Sequence, residues 1–328
     1  MNVQLRSLVT LGAVSLGAIG AARAIQSFLP RRFATWYEQE DTTDHKDSSS
    51  FPNIEVSFLR CGGVTVPEVI AVRGAFSLAL RLISHSAVLI RHPRATFLYD
   101  TGISTNIYLY TQGQSFFFRN VLGRFTFEQS LSSHLQDLHM KPADLDFALI
   151  SHLHWDHVSG VPDIPGVPLR INRVEYDAAR QTLFVQHYGL PRQLIGDNPI
   201  ELFDCTGPSY KGFRSSHDLF GDGSVVLVPL PGHTAGNTGM FINRANGSRL
   251  FLLGDAAWVS DNYMRPATMH PFIWSAVTSD DATACQTLID LHHFSRRHPE
   301  VSLIAMHDAQ AQNTFMKVEK SHMAHTST

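Results

Sequence analysis

The feature that most constrains this chain is a cluster of metal-binding residue types directly after an apolar segment. Residues Phe147–Ile150 form a short apolar run typical of a buried strand, and the next seven residues read Ser-His-Leu-His-Trp-Asp-His. At a strand end, His152 and His154 lie two positions apart and point to the same side, so both can reach one metal ion. Asp156 and His157 follow where the chain turns away and can face a second ion. The segment therefore predicts a metal site at the end of a strand.

Three later segments each place one further donor at the end of a predicted strand. These donors are His233 after Val225–Leu230, Asp255 after Leu250–Leu253 and His307 after Val301–Met306. A zinc ion takes about four ligands, and a catalytic ion leaves one position for water. Two ions therefore need more donors than the first cluster supplies. Because loops at strand ends bring distant residues together on one scaffold, we expect all seven side chains to converge.

The remaining pattern mixes hairpins with helices. Asp222-Gly223 and Asn246-Gly247 each lie between apolar runs and predict tight hairpin turns. Leucines at helical spacing predict a helix from Glu128 to Met140, and a second helix is predicted from Asp280 to Arg297 with an aspartate at its N-cap. This mixture favours an α/β sandwich over a regular βαβ array.

Composition narrows the classes of function. The chain has 328 residues with 26 Lys and Arg against 29 Asp and Glu, which gives a net charge of −3. This balance lacks the basic excess of a nucleic-acid-binding protein, so we expect no nucleic-acid partner. The three cysteines are too few and too scattered for a disulfide scaffold.

The N-terminus has the composition of a targeting segment. Residues 1–37 contain no Asp or Glu, an apolar run lies between Ser7 and Ala22, and Ala22-Arg23-Ala24 resembles a signal-peptidase site. Arginines that follow the run oppose export of the downstream chain, and an organellar transit peptide also fits. We expect an exported or membrane-anchored protein, and any membrane association would be through the N-terminus. Organellar targeting and a cytoplasmic location are the alternatives.

The domain organisation follows from these compositional changes. The predicted ranges are 1–24 for a signal peptide or membrane anchor, 25–52 for a polar linker, 53–312 for the globular domain and 313–328 for a polar tail. Nothing in the sequence predicts the oligomeric state.

As an ordered set, the motifs HLHWDH, PGHTAGNTG, GDA and AMHD resemble the metal motifs of the metallo-β-lactamase superfamily, and YDTG, which contains Asp100, resembles its first motif. The resemblance covers about Ser86 to Gln312. It implies an α/β fold, the four-layered αββα sandwich, with a two-metal site in the cleft between the sheets. The most similar groups are the N-acyl-homoserine-lactonase-like and methyl-parathion-hydrolase-like members.

The resemblance also implies a ligand set for two divalent ions, for which zinc is favoured. His152, His154 and His233 would bind the first ion, Asp156, His157 and His307 the second, and Asp255 both. Asp100 would orient a ligand histidine.

A bridging carboxylate is typical of members that hydrolyse esters, lactones, thioesters or phosphoesters. Hydroxide generated between two metals would attack the substrate carbonyl. We therefore predict a hydrolase of a lactone or carboxylic ester, with Asp156 and Asp255 in its catalytic centre. The alternatives are an organophosphate triesterase and a non-catalytic metal-binding protein on the same fold. The expected partner is a small molecule, and the run Phe116-Phe117-Phe118 could cover an apolar portion of it.

One position departs from the lactonase pattern. Lactonases carry a tyrosine three residues after the bridging aspartate, whereas this chain carries Trp258. An indole N–H donates one hydrogen bond but cannot exchange a proton as a phenol does. Trp258 is therefore either an altered hydrogen-bond donor or a packing residue, and Tyr263 could supply the phenol from a shifted loop position.

Overall fold

The structure is a computed structural model that describes residues 22–31, 33, 50–77, 79–181 and 185–313. Within these ranges, two β-sheets form the centre of the molecule. The first sheet has seven strands in the order β4-β1-β2-β3-β5-β6-β7. They are β1 (Glu55–Pro67), β2 (Leu80–His92), β3 (Ala95–Thr101), β4 (Thr126–Phe127), β5 (Phe147–Ile150), β6 (Leu169–Asn172) and β7 (Ile200–Phe203). β1 to β3 pair antiparallel, and β3, β5, β6 and β7 are parallel.

The second sheet has five strands among the described residues, in the order β12-β11-β10-β9-β8. They are β8 (His217–Asp218), β9 (Val225–Pro229), β10 (Thr238–Asn243), β11 (Arg249–Leu252) and β12 (Val301–Ile304). β8 to β11 pair antiparallel, and β12 runs parallel to β11.

Helices of 4 to 17 residues surround the sheets in the described ranges. They are α1 (22–28), α2 (Glu68–Ala71), α3 (Ile107–Thr111), α4 (Leu131–Asp137), α5 (Trp155–Val158), α6 (Arg173–Gln181), α7 (Val185–Ile195), α8 (Ser260–Met264), α9 (Pro271–Val277) and α10 (Asp281–Arg297). A π-helical turn spans Phe118–Leu122, 3₁₀ turns span Pro142–Asp144 and Val161–Asp163, and residues 309–313 are helical.

The alternation of side chains along the strands produces four layers. Val88 and Tyr99 of the first sheet pack against residues of the second sheet, such as Leu227 and Met240. Leu89, next to Val88 in the chain, belongs instead to the apolar core that includes residues of α4 and α7, because successive side chains of a strand point to opposite faces. On the outer face of the second sheet, strand residues pack against α10. The predicted αββα sandwich is thereby confirmed.

One strand and two helices predicted from the sequence agree with the structure. β5 has the predicted bounds, α10 begins after an Asp280 side chain that accepts hydrogen bonds from the backbone N–H groups of Ala282 and Thr283, and α4 lies within the predicted helix from Glu128 to Met140.

The N-terminal residues that the structure describes contact the domain. The Arg73 guanidinium donates hydrogen bonds to the carbonyl groups of Gln26 and Leu29, and Arg31 forms two hydrogen bonds with the carboxylate of Asp281, at 2.5 and 2.7 Å. The linker predicted over residues 25–52 lies mostly outside the described residues and stays a prediction; its described residues 26–31 contact the domain through these hydrogen bonds.

No helix in the described ranges has both the length and the hydropathy needed to cross a membrane. The predicted signal peptide or anchor falls mostly on residues 1–21, which lie outside the described residues, so it stays a prediction.

Candidate metal centre

The site is built where β5 ends. All four residues of β5 are buried, and the chain then leaves the sheet through Ser151 and His152, both fully buried. His154 adopts an extended backbone and is the N-cap of α5, which carries Asp156 and His157. This switch from strand to helix turns the first two histidines and the following Asp-His pair toward different parts of the same cleft.

Three imidazoles form the first histidine group, which consists of His152, His154 and His233. Their candidate ligand nitrogens all lie within 4.8 Å of one another. His233 comes from the loop after β9, and its Nε2 is 2.9 Å from Nδ1 of His154. Ring centroids are 4.6 to 4.8 Å apart in the three pairs.

The second group consists of Asp156, His157 and His307. The Oδ2 atom of Asp156 is 3.5 Å from Nε2 of His307 and 4.0 Å from Nε2 of His157. His307 comes from the loop after β12, in the other sheet. The second group therefore joins both halves of the sandwich.

Asp255 lies between the two groups. Its Oδ2 is 3.4 Å from Nε2 of His233 and 3.0 Å from Nε2 of His307, while its Oδ1 is 3.2 Å from Nε2 of His157. The side chain is 3% exposed. The structure thus brings all seven predicted side chains together, and the carboxylate faces nitrogens of both groups.

Buried hydrogen bonds orient the imidazoles of the second group. Nδ1 of His157 is 2.8 Å from Oδ2 of Asp100, and Nδ1 of His307 is 2.7 Å from the carbonyl oxygen of Ser84. In both rings the opposite nitrogen, Nε2, faces the carboxylates of the site, so these contacts select Nδ1 as the protonated nitrogen. Asp100 also accepts hydrogen bonds from the backbone N–H and the hydroxyl of Ser151.

The backbone of Asp100 is unusual. Its φ is +54°, in the left-handed region that non-glycine residues rarely adopt. Such backbone strain persists only where surrounding contacts fix it, and it is common at functional sites. Three hydrogen-bonding contacts hold the Asp100 carboxylate at this position.

Sequence reasoning missed Glu175, which connects two ligand loops. This α6 residue is 3% exposed. One of its carboxylate oxygens accepts a hydrogen bond from the backbone N–H of Leu153 at 2.8 Å, and the other accepts from that of Gly236 at 2.9 Å. The loop that carries His152 and His154 is thereby bonded through one carboxylate to the loop that carries His233. Its position just after a strand was the available signal, but β6 was not predicted.

Several donor atoms of the site lack the hydrogen bonds that burial normally requires. Among the described residues, Nε2 of His152, Nε2 of His157 and Oδ1 of Asp255 are buried without a hydrogen-bond partner. Leaving such groups unsatisfied costs about 1–3 kcal/mol each. Neutral imidazoles and carboxylates that face a common centre are the donor types of zinc and similar ions, so these residues fit divalent metals.

The pKa shifts of the histidines differ between the two groups. Burial lowers the pKa of His154 to about 3 and that of His233 to about 4, and it places the pKa of His152 well below the ordinary value. These rings are neutral at pH 7 and offer free lone pairs. Burial acts in the same direction on His157 and His307, but Asp255 and neighbouring carboxylates outweigh it and raise the pKa of both.

The carboxylates respond in the opposite sense. Burial alone would raise the pKa of Asp156 and of Asp255, but neighbouring imidazoles outweigh it and lower the pKa of both: those of His157, His85 and His307 for Asp156, and those of His307 and His157 for Asp255. Both side chains are therefore ionised at neutral pH and carry the negative charge that a metal cluster needs.

Trp258 and Tyr263 are placed differently from each other. The indole N–H of Trp258 donates a hydrogen bond to Oδ2 of Asp255 at 2.9 Å, and its ring lies 5.2 Å from that of His307. Tyr263 is buried, and its hydroxyl donates to the carbonyl of Leu303 at 3.2 Å. The prediction that Tyr263 supplies a phenol to the site is wrong, because α8 directs this ring into the core beside the second sheet.

A cavity of about 460 Å³ opens directly onto the site. Asp156, Asp255 and His307 contribute to its lining together with Trp258. The rest of its wall is mainly apolar and includes Val66, Ile83, Phe117, Phe118, Leu122 and Ile273. Two of the three residues in the aromatic run predicted to cover an apolar substrate therefore line this cavity, whereas Phe116 is 77% exposed.

Comparison with known proteins agrees with this geometry. A family model described as the metallo-beta-lactamase superfamily matches residues 80–287. The chain is 25% identical over 195 residues to the N-acyl homoserine lactonase AttM of Rhizobium radiobacter, a match that covers 58% of this chain and 68% of the relative. It is also 25% identical over 270 residues to a probable metallo-hydrolase of Mycobacterium tuberculosis, with 78% and 81% covered.

Solved structures show the same fold. One is an N-acyl homoserine lactone hydrolase with the product N-hexanoyl-L-homoserine bound at its catalytic metal centre. It superposes with a TM-score of 0.60 at 16% identity, over 80% of this chain and 96% of that one.

Proposed function

The chain belongs to the metallo-β-lactamase superfamily, and we propose that it is a two-metal hydrolase that cleaves a lactone or a carboxylic ester bearing an apolar group. The family assignment and the sequence relatives show that the chain is a hydrolase with the metallo-β-lactamase fold. The number of ions, the residues that bind them and the substrate class are the proposal.

The first histidine group would hold one ion, the second group would hold the other, and Asp255 would serve both. The support is geometric. Neighbouring donors within and between the groups include pairs 2.9, 3.0 and 3.5 Å apart, distances expected for donors about 2.0–2.2 Å from a shared ion. Zinc fits this mixture of imidazole and carboxylate, and the three neutral imidazoles of the first group favour it there.

Two such ions, when bound, lower the pKa of a bound water and polarise a substrate carbonyl. Residues of this chain orient the groups that would bind the ions. Asp100 and the Ser84 carbonyl keep a proton on Nδ1 of His157 and His307, which leaves Nε2 of each ring free to bind. The indole N–H of Trp258 orients Asp255 from the cavity side.

The observation that carries the substrate class is the shared cavity. Candidate metal ligands form part of its wall, and aliphatic and aromatic side chains form most of the remainder. Burying each CH₂ group of an acyl chain there contributes about 0.8 kcal/mol, so the cavity favours a substrate with an apolar arm. Trp258 takes the lactonase tyrosine position with its N–H bonded to Asp255, so a substrate with a good leaving group, such as an aryl ester, should also react.

The test is turnover of the purified, metal-loaded protein on a lactone, an aryl ester, a phosphotriester and a β-lactam, the first two each with a short and a long alkyl chain. We expect the long-chain lactone or aryl ester to give the highest kcat/KM. Asp255→Asn should remove this activity, while Asp290→Asn, a change on α10 away from the site, should not. A preference for the phosphotriester would support the triesterase alternative. Full metal occupancy without turnover of any substrate would support the non-catalytic one.

A further inference from the structure

His85 is a buried histidine of the site that neither the motifs nor the predicted ligand set contain. It lies on β2, paired with Gly62 of β1, and is 5% exposed. Its ring lies 5.4 Å from that of His307 and 5.6 Å from that of Trp155. It also lines the cavity that reaches the metal centre.

The position of its Nδ1 atom is the informative feature. Nδ1 of His85 is 3.3 Å from Oδ2 of Asp156. This is the same oxygen that faces Nε2 of His307 at 3.5 Å and Nε2 of His157 at 4.0 Å. His85 therefore approaches the oxygen of Asp156 that faces the imidazoles of the second group.

Two further observations agree. Nδ1 of His85 is among the buried atoms that have no hydrogen-bond partner within the described residues. Candidate ligand atoms of His85, Asp156 and His307 also lie within 4.8 Å of one another. Two donors bound about 2.0–2.1 Å from one ion at angles of 90–110° are separated by about 2.8–3.4 Å, and the 3.3 Å between Nδ1 of His85 and Oδ2 of Asp156 falls in that range.

The strand that carries His85 is fixed to the same ligand loop. The backbone N–H of Ser84 donates to the carbonyl of His307, and the Ser84 carbonyl faces Nδ1 of that ring. His85 and His307 are therefore held at a set separation by main-chain contacts, a condition for joint binding of an ion.

We propose that His85 supplies a further ligand, through Nδ1, to the second ion, next to Asp156 and His307. The inference rests on the two-metal centre proposed above. An added imidazole raises the coordination number of the second ion, so this position should accept ions that take five or six ligands, such as Co²⁺, more readily than a strictly four-coordinate site would.

The test is titration of the metal-free full chain with Co²⁺, monitored by its visible absorption, and competition with a chelator for affinity. His85→Asn retains a polar N–H near the Nδ1 position and can still donate a hydrogen bond to Asp156, but removes the imidazole ligand. His85→Leu removes both. The matched control is His92→Asn, a buried histidine on the same strand whose Nε2 is 3.2 Å from the Ser224 hydroxyl, away from the centre.

We expect both His85 variants to weaken the second Co²⁺ equivalent at least tenfold and to alter its absorption bands, with the first equivalent and His92→Asn unchanged. If His85→Asn binds Co²⁺ as the wild type does while His85→Leu binds it more weakly, His85 only donates a hydrogen bond to Asp156, and the proposal is overturned. Unchanged titration by both variants would overturn it as well. Binding of fewer than two ions by the wild type would overturn the two-metal centre itself. Thermal midpoints of the metal-free proteins distinguish loss of a ligand from loss of the fold.

Discussion

Replacing Trp258 with phenylalanine tests whether the indole acts on the metal centre or on the substrate. The change removes the N–H that lies 2.9 Å from Oδ2 of Asp255 and keeps an apolar ring beside His307. A hydrogen bond to a charged group contributes about 1.5–3 kcal/mol, which corresponds to about a 10- to 150-fold change in an equilibrium constant. Because Nε2 of His307 also faces this oxygen at 3.0 Å, we expect the lower end, about tenfold weaker metal binding.

The assay is competition for Zn²⁺ with a chromophoric chelator, measured beside steady-state kinetics. Trp274→Phe is a matched control, because the indole N–H of Trp274 also donates to an aspartate, Asp281, at 2.7 Å, on the outer helices. We expect weaker Zn²⁺ binding in Trp258→Phe only. If Trp258→Phe binds Zn²⁺ as the wild type does, yet kcat falls a hundredfold at full occupancy, the indole acts on the substrate and the positioning role is refuted.

Three further perturbations test other parts of the site. Glu175→Gln replaces one of the two carboxylate oxygens with an N–H₂ group, which cannot accept a hydrogen bond from the backbone N–H of Leu153 or of Gly236. We expect weaker binding of the first ion in chelator titrations. An affinity equal to that of the wild type would mean that the loops hold their positions without this carboxylate. The pKa values of His154 and His233, about 3 and 4, keep the first group deprotonated in mild acid, whereas the raised pKa values of His157 and His307 let protons compete with the metal for the second group. Metal analysis after dialysis should therefore show two ions per chain at pH 8, and the second ion should be lost first as the pH falls. Simultaneous loss of both ions would contradict this order. Ile273→Trp adds bulk to the apolar wall of the cavity; KM should rise for long-chain substrates and stay constant for short ones, and an equal change for both would place the apolar arm elsewhere.

Much of the centre could be predicted from local sequence because its donors follow strands directly. An apolar run that ends in His-Leu-His-Trp-Asp-His fixes both the strand and the direction of the side chains that leave it. The same logic located Asp255 and His307, since β11 and β12 are parallel neighbours whose ends meet at one edge of the second sheet. Resemblance of the ordered motifs then supplied the sandwich that brings the two edges together.

The partners of these residues could not be predicted, because they depend on distances between segments far apart in the chain. His85 is 71 residues from Asp156 in number and 3.3 Å from it in space. Glu175 contacts the loops on either side of it only after α6 packs beside them. Tyr263 and Trp258 lie five positions apart and could equally have faced the cleft on sequence grounds.

The sequence by itself therefore determined the donor types, their attachment to strand ends and the family of the fold, because these depend on residue identity and short-range periodicity. Only the tertiary structure decided which oxygen of Asp156 faces His85, that the Trp258 indole bonds Asp255, and that the Tyr263 ring enters the core. A side chain's periodicity sets the face on which it lies, but the packing of whole layers sets the atom that it meets.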